Sequence, residues 1–268
     1  MKILVGVDFS KSSKNAIKFA SGLAKALDAS ITLVHAYTLI YDFAAQTASY
    51  AADMEKQGAI LIRKWSDVLE GKGIKSNSLI LQKNPSDALI QIAEEEKYDM
   101  IVIGSTGKSG LSKVLLGSTA SDLIRSSQTP VLMIPGKSKF KHISSLSLAV
   151  AAKDLKASKF TSIIEITRQF NLPYNLIHIN QEKTDLQQSL TSLTKNLQKQ
   201  YPSRHFSFMS LEGSETCETL LAYCQQHPKT ILVMVSKQQG FLDYLFKTSR
   251  CAQMAQQVTV PMLVLKAE

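Results

Sequence analysis

The sequence predicts an α/β fold in which two similar domains follow one another, each an open parallel sheet flanked by helices. Three observations predict this fold. Short apolar, β-branched runs alternate with longer segments of helical periodicity, which is typical of parallel sheets covered on both faces. The 268 residues are enough for two domains of ordinary size. Residues 129–134 (TPVLMI) reappear as residues 260–265 (VPMLVL) with their prolines aligned, which indicates duplication of a whole domain.

Five strands are predicted in the first half, over residues 2–7, 31–36, 75–82, 99–103 and 130–134. The capping residues 8–12 precede a first helix, whose apolar positions extend to Leu27. A less regular stretch at 37–45 leads into a long helix that ends near Leu69, before two glycines. Asn84 caps a third helix that has proline in its first turn, and a fourth helix runs from Gly117 to about Ser126.

The second half repeats this order of elements. Strands are predicted over residues 146–152, 174–179, 204–211, 230–235 and 260–265, and helices over 156–171, 183–200 and 214–227. A turn-prone, charged stretch at 135–138 (PGKS) separates the halves. We therefore place one domain at residues 1–138 and the other at 139–268.

Composition limits the classes of protein to consider. Hydrophobic residues make up 44% of the chain and charged residues 20%, which is ordinary for a soluble globular protein. No stretch approaches 18 apolar residues, so we expect no membrane partner. The apolar run at residues 2–7 is too short for the core of a signal peptide. These features favour a cytoplasmic protein.

The net charge of +9 raises the question of an anionic partner. The basic residues are scattered, however, and the densest cluster is Lys137, Lys139 and Lys141 at the junction of the two halves. No basic run alternates with aromatic residues in the way that a base-stacking surface requires. We therefore expect no nucleic-acid partner.

Cysteine and histidine residues are predicted to be structural. Cys217 and Cys224 lie seven residues apart on one helix face, and with Cys251 they form no metal-ligand pattern. His35, His178 and His205 lie in predicted strands, where buried, hydrogen-bonded histidines are commoner than catalytic ones. We therefore predict no metal site and no catalytic residue.

A glycine-rich loop after the fourth strand carries the chemistry of the chain. It reads Gly104-Ser105-Thr106-Gly107-Lys108-Ser109-Gly110 and is followed by Gly117-Ser118, which open a helix. Glycines let main-chain N–H groups approach an anion closely, and a helix N-terminus adds unpaired donors and a positive dipole end. The loop is therefore interpreted as a phosphate cradle, although such a turn can also be plain architecture. The chain contains neither a P-loop nor a dinucleotide-binding G-x-G-x-x-G sequence.

Asp8 follows the first strand as Gly104 follows the fourth. Ligands of open α/β sheets bind beyond the carboxyl ends of the strands, where the strand order reverses. If these two strands are neighbours, Asp8 and the loop flank one crevice. Asp8 could then contact a ribose hydroxyl or a phosphate-bound metal, or it could simply cap the first helix.

The segment around Asp8 and the glycine-rich loop resemble the motifs of the universal stress protein family. The family's nucleotide motif is G-x-x-G, nine residues, then G-[ST], and Gly104, Gly107, Gly117 and Ser118 match it in type and spacing. The resemblance is strong over the whole first half and weak over the second. It implies an open parallel sheet of strand order 3-2-1-4-5 in each domain, as in the adenine nucleotide alpha hydrolase-like fold. It also implies ATP, with or without Mg²⁺, between strands one and four.

The family's binding residues carry over to ten positions of the first half. The resemblance implies contacts to the adenosine from Val7, Asp8 and Val34, contacts around ribose and phosphates from Ile103, Gly104, Gly107 and Lys108, and phosphate binding by Gly117, Ser118 and Thr119. The family also pairs fifth strands across a two-fold axis. In a tandem chain the two fifth strands could pair within one molecule, as an internal pseudo-dimer, and the chain could also form a homodimer or bind a further protein partner.

The second half departs from this motif. Ser236 and Gln239 are aligned with the two glycines, and residues 247–250 (KTSR) replace Gly117-Ser118. After its first strand, Ala152 is the preferred counterpart of Asp8, with Asp154 as the alternative. We therefore predict that this domain binds no nucleotide.

Three functions follow from these observations. The preferred one is an ATP-binding regulatory or stress-response protein. The alternatives are a weak ATPase or adenylyl-transferring enzyme, for which Asp8 is the clear candidate residue, and a scaffold that has lost nucleotide binding in both halves.

Overall fold

The computed structural model of the chain describes residues 1–38, 44–105, 118–150, 160–180, 187–236 and 258–266, with the backbone alone at 44–54 and 236. The chain forms two compact units, Met1–Phe140 and Lys141–Glu268. Each unit has its own sheet and is described by itself.

The first unit alternates strands and helices, as the sequence pattern predicts. Its elements are β1 (Lys2–Gly6), α1 (Lys11–Leu27), β2 (Ser30–Tyr37), α2 (Ala44–Glu70), β3 (Ser76–Gln82), α3 (Pro85–Glu95), β4 (Met100–Gly104), α4 (Ser118–Ser126) and β5 (Val131–Ile134). All four strand pairs are parallel, in the order β3-β2-β1-β4-β5. The strands β1, β4 and β5 are buried almost throughout, as expected of a sheet covered on both faces.

Local signals fix the ends of the helices in the first unit. The Ser10 hydroxyl accepts a hydrogen bond from the Ser13 N–H and caps α1, and Asp28 ends that helix in the left-handed conformation. Asn84 caps α3 by accepting from the Ser86 and Asp87 N–H groups, with proline at the first helical position. The predicted start of α3 is therefore confirmed. Gly73 follows α2 with φ of 76°, a value that favours glycine.

The second unit has the same strand order. Its elements are β6 (Ser145–Val150), α5 (Thr161–Thr167), β7 (Tyr174–Asn180), α6 (Gln187–Gln200), β8 (Phe206–Glu212), α7 (Thr216–Gln226), β9 (Thr230–Ser236) and β10 (Met262–Lys266), in the parallel order β8-β7-β6-β9-β10. The predicted α/β fold with open parallel sheets is therefore confirmed. The predicted starts of the helices at 156 and 183 lie outside the described residues.

A buried polar cluster holds β6, β9 and α7 together at the core of the second unit. The Ser147 hydroxyl, wholly buried, lies 2.9 Å from the Tyr223 hydroxyl and 2.7 Å from the Thr230 hydroxyl. The Thr230 hydroxyl also accepts from the Ser145 hydroxyl and donates to the Ser145 carbonyl on the neighbouring strand. Every hydroxyl of this cluster has a partner, as buried polar groups require.

Candidate functional site

The first and fourth strands are hydrogen-bonded neighbours in the first unit. Ile3, Leu4 and Val5 of β1 are paired with Met100, Ile101 and Val102 of β4. Because the strands are parallel, their carboxyl ends meet at one edge of the sheet, and the strand order reverses there. Asp8 and Gly104 therefore emerge side by side, as the sequence predicts.

The segment after β1 holds the Asp8 carboxylate in a fixed position. The Ser10 N–H donates a hydrogen bond of 2.9 Å to Asp8 Oδ1. Phe9, between them, has φ of 60°, which is uncommon for a bulky residue. Asp8 itself does not cap α1, because that role belongs to Ser10. The carboxylate is half-buried at the end of the sheet.

A buried histidine on β2 contacts this segment. His35 Nδ1 lies 2.7 Å from the Val7 carbonyl oxygen. Because a carbonyl oxygen can only accept, Nδ1 carries a hydrogen and donates this hydrogen bond. The Phe9 ring packs on the imidazole at 4.6 Å between centroids. Gly58 of α2 makes room, since a Cβ there would lie 3.0 Å from His35 Cδ2. The end of β1 is thus tied to β2 through a side chain.

The same histidine bond recurs in the second unit. His178 Nδ1 lies 3.1 Å from the Val150 carbonyl oxygen. Both His35 and His178 are buried, so the prediction of buried, hydrogen-bonded histidines is confirmed for these two. It is wrong for His205, which is exposed and precedes β8 by one residue.

Gly104 is required by its neighbour on α1. A Cβ at Gly104 would lie 2.5 Å from Ser12 Oγ, 2.8 Å from the Ser12 carbonyl carbon and 2.9 Å from Ser12 Cβ. These distances are far below a normal contact between carbon atoms of about 3.5–4.0 Å. The first glycine of the loop therefore lets the start of α1 approach the end of β4.

Three of the predicted contact residues lie in the core beneath this edge. Val7, Val34 and Ile103 are 4%, 1% and 4% exposed. The Val7 N–H donates to the Val34 carbonyl at 2.8 Å, which extends the pairing of β1 with β2.

The residues that follow the glycine-rich loop in the sequence form the N-terminus of α4. This helix begins at Ser118, which is exposed, and Thr119 is half-buried. Ala120, Leu123 and Ile124 anchor it to the core. The first N–H groups of a helix have no partner within the helix and are the donors that an anion needs. The predicted contacts at Gly107, Lys108 and Gly117 lie outside the described residues.

Strand register aligns the two units residue by residue. Ile3 of β1 pairs with Met100 of β4, and Leu146 of β6 pairs with Ile231 of β9 in the same way. The bonds from His35 to the Val7 carbonyl and from His178 to the Val150 carbonyl fit the same alignment. This register makes Ala151, the residue after Val150, the counterpart of Asp8.

The same register makes Val235 the counterpart of Gly104. The alignments expected from the sequence, with Ala152 and Ser236, are each wrong by one residue. The conclusion from them is unchanged, because an alanine and a valine replace the carboxylate and the first glycine.

The cysteines that the structure describes are packing residues. Cys217 and Cys224 are buried in α7, as predicted. Both are free thiols, and burial raises the pKa of the Cys224 thiol to about 12. Cys251 lies outside the described residues. Among the residues described, no three histidine, cysteine or carboxylate side chains are grouped as metal ligands. Within the same residues, no helix is long and apolar enough to cross a membrane.

Comparison with known sequences identifies the relatives of this chain. Residues 1–135 match the universal stress protein family. A universal stress protein of Methanocaldococcus jannaschii is 30% identical over 138 residues, which are 50% of this chain and 81% of that protein. One of Thermus aquaticus is 30% identical over 133 residues, which are 49% of this chain and 96% of that protein.

Comparison with solved structures extends the likeness in fold. The crystal structure of a universal stress protein from Archaeoglobus fulgidus matches with a TM-score of 0.75 at 18% identity, and the match covers 99% of this chain and 98% of that one. At this level of identity, the likeness supports the fold over both units.

Proposed function

The chain belongs to the universal stress protein family, and on this premise we propose that its first unit binds an adenine nucleotide, ATP, and acts as a regulatory, stress-response protein. The proposed site lies at the carboxyl ends of β1 and β4, with the loop that starts at Gly104 and ends at the N-terminus of α4 holding the phosphates.

The adjacency of β1 and β4 carries this proposal. It brings a carboxylate at residue 8 to the same edge as the start of the glycine-rich loop. A helix that follows a parallel strand starts at the carboxyl edge of the sheet, so the first turn of α4 belongs to the same edge. This adjacency supports a site in which Asp8 accepts from ribose hydroxyls and main-chain amides donate to phosphates at the same edge of the sheet.

Each proposed residue has a role that fits its chemistry. Asp8 accepts hydrogen bonds from the ribose hydroxyls, or supplies an oxygen to a Mg²⁺ ion that accompanies the phosphates. We assign contacts with the ribose and phosphates to the main-chain N–H groups of Gly104, Gly107 and Lys108. Gly117 with the Ser118 and Thr119 hydroxyls and amides completes the cradle at the start of α4.

The buried residues at this edge contribute shape rather than polar contacts. Val7, Val34 and Ile103 form an apolar floor under the adenosine, and Phe9 fixes the direction in which Asp8 leaves β1. The His35 bond to the Val7 carbonyl is shared with the second unit, whose chain lacks the glycines and the carboxylate. We therefore assign His35 to the support of the site and not to nucleotide contact.

The second unit takes a different part in this proposal. Its counterparts of Asp8 and Gly104 are Ala151 and Val235, so it offers neither the ribose acceptor nor the close main-chain approach. We propose that its role is structural and that it does not bind nucleotide.

Isothermal titration calorimetry with ATP and AMP tests the proposed site. We expect one site per chain, weakened at least tenfold by Gly117→Val, because a side chain there blocks the approach of phosphate to main-chain amides. Gly136→Val is the matched control, since Gly136 has no atom within 4 Å of an added Cβ. Equal binding by the wild type and Gly117→Val would remove the loop from the proposal.

The Asp8→Asn variant separates binding from turnover. It keeps the shape of the side chain and an oxygen that accepts from the Ser10 N–H, but removes the charge. Weaker ATP binding without any turnover in single-turnover assays supports a binding protein. Hydrolysis by the wild type that is abolished in this variant would instead support the enzyme alternative.

A further inference from the structure

The outer face of α1 carries a straight row of lysines. Over its 17 residues this helix has no aspartate or glutamate, and its four basic residues, Lys11, Lys14, Lys18 and Lys25, are all exposed. At 100° per residue they fall within an arc of about 60°, and at 1.5 Å per residue they span about 21 Å. The opposite face of α1 is buried.

The segment after β5 adds two more lysines to this row. The Asn15 side-chain amide of α1 donates hydrogen bonds of 2.9 Å to the carbonyls of Pro135 and Ser138. Phe140 packs over Gly22 and meets the Phe19 ring edge to face, at 5.5 Å between centroids. These contacts hold residues 135–140 along α1.

We call the six exposed side chains the lysine face: Lys11, Lys14, Lys18, Lys25, Lys137 and Lys139. None of the six forms an ion pair with a carboxylate of the residues that the structure describes. The sequence suggests scattered basic residues, but folding gathers these six on one side of the first unit. Their charge is uncompensated within the helix and the segment that carry them.

We propose that the lysine face binds the phosphate backbone of double-stranded nucleic acid without regard to base sequence. A narrow row of charges fits a linear chain of phosphates better than it fits the plane of a membrane. No large apolar side chain is exposed among these lysines, so the face has nothing to insert between lipid chains. Phe140, the half-buried aromatic residue of the segment after β5, packs on Phe19 and over Gly22, so its ring is not free for the base stacking that single-stranded binding uses.

The dependence of affinity on salt is the property that tests this proposal. Each phosphate neutralised by a lysine lowers log K by about 0.9 per unit of log salt concentration. Binding of a fluorescent 20-base-pair duplex is followed by anisotropy between 50 and 200 mM KCl. Replacing three lysines, in a Lys14→Gln, Lys18→Gln and Lys25→Gln variant, should reduce the slope by about 2.7. Over this range the variant should lose about 40-fold less affinity than the wild type does.

A control variant of equal charge removes Lys56, Lys64 and Lys72, which are exposed in and just after α2. It should keep most of the salt slope of the wild type. Equal loss of slope in both variants would show attraction to net charge alone and overturn the proposal.

Vesicles containing phosphatidylserine provide the second arm of the test. Stronger binding to these vesicles than to the duplex, or no duplex binding at 50 mM KCl, would also overturn the proposal. Unchanged ATP binding by the three-lysine variant, measured by calorimetry, would show that the variant is folded and that the lysine face is separate from the nucleotide site.

Discussion

Replacing Gly104 with alanine tests whether the first glycine of the loop is a packing requirement as well as part of a binding motif. The added methyl group would lie 2.8 Å from the Ser12 carbonyl carbon and 2.9 Å from its Cβ. The first distance is about 0.7 Å shorter than the closest normal carbon contact. Because a backbone atom is involved, α1 or β4 must shift, and overpacking of this kind costs about 1–3 kcal/mol.

Calorimetric unfolding of the full chain without nucleotide measures this cost. For a unit of this size we expect a melting temperature lower by about 3–10 °C. Hydrogen exchange should become faster at residues 2–6 and 100–104, which assigns the loss to the first unit. Ser12→Gly in the same background removes two of the three close contacts and should recover part of the stability.

Gly136→Ala is the matched control for this substitution. An added Cβ at Gly136 meets no atom within 4 Å, so its stability should change by less than about 0.5 kcal/mol. If Gly104→Ala is as stable as the wild type in the absence of nucleotide, the close approach of Ser12 is not a constraint, and the role of this glycine would lie in ligand binding alone.

Two further predictions concern buried groups. His35→Leu leaves the Val7 carbonyl without its side-chain donor and should lower the free energy of unfolding by about 1–3 kcal/mol, and His178→Leu should have a similar effect. Urea titrations of both variants measure these losses. If only one of the two variants is destabilised, the two histidines do not share a structural role. Burial raises the pKa of the Cys224 thiol to about 12, so the thiol is almost entirely protonated at pH 8. It should therefore react with a maleimide far more slowly in the folded chain than in urea, as measured by mass spectrometry of tryptic peptides. Rapid labelling of Cys224 in the folded chain would contradict its burial.

Much of the fold is predictable from the sequence because its signals are local. Alternating buried strands and capped helices identify the parallel α/β class, and Asn84 with the following proline locates the start of α3. Adjacency of β1 and β4 followed from the family's strand order and is confirmed by the pairing of Val5 with Val102. The sequence predicts the start of β8 two residues too early, because the half-buried Arg204 and the exposed His205 do not belong to the strand.

The support of the site was not predictable, since it depends on contacts between distant residues. Nothing in the sequence near Gly104 indicates that Ser12 packs against it, and the bond from His35 to the Val7 carbonyl joins residues on two strands. The left-handed conformation of Phe9 has no sequence signal, because glycine or asparagine is usual there. The sequence places a histidine in the second strand of each half, at His35 and His178, but does not show which carbonyl each one bonds to.

The lysine face is not predictable from the sequence for the same reason. Its α1 members are spaced irregularly along the chain and become a row only on the surface of the helix. Lys137 and Lys139 join them through the hydrogen bonds of Asn15 to the segment after β5, which no local pattern predicts.

A crystal structure of the full chain with a non-hydrolysable ATP analogue tests the central claim most directly. We predict that the phosphates contact main-chain N–H groups between Gly104 and Thr119, with the ribose at Asp8 and no nucleotide at residues 235–249. Phosphates bound to the second unit, or a fully occupied nucleotide that leaves the ends of β1 and β4 untouched, would contradict the account.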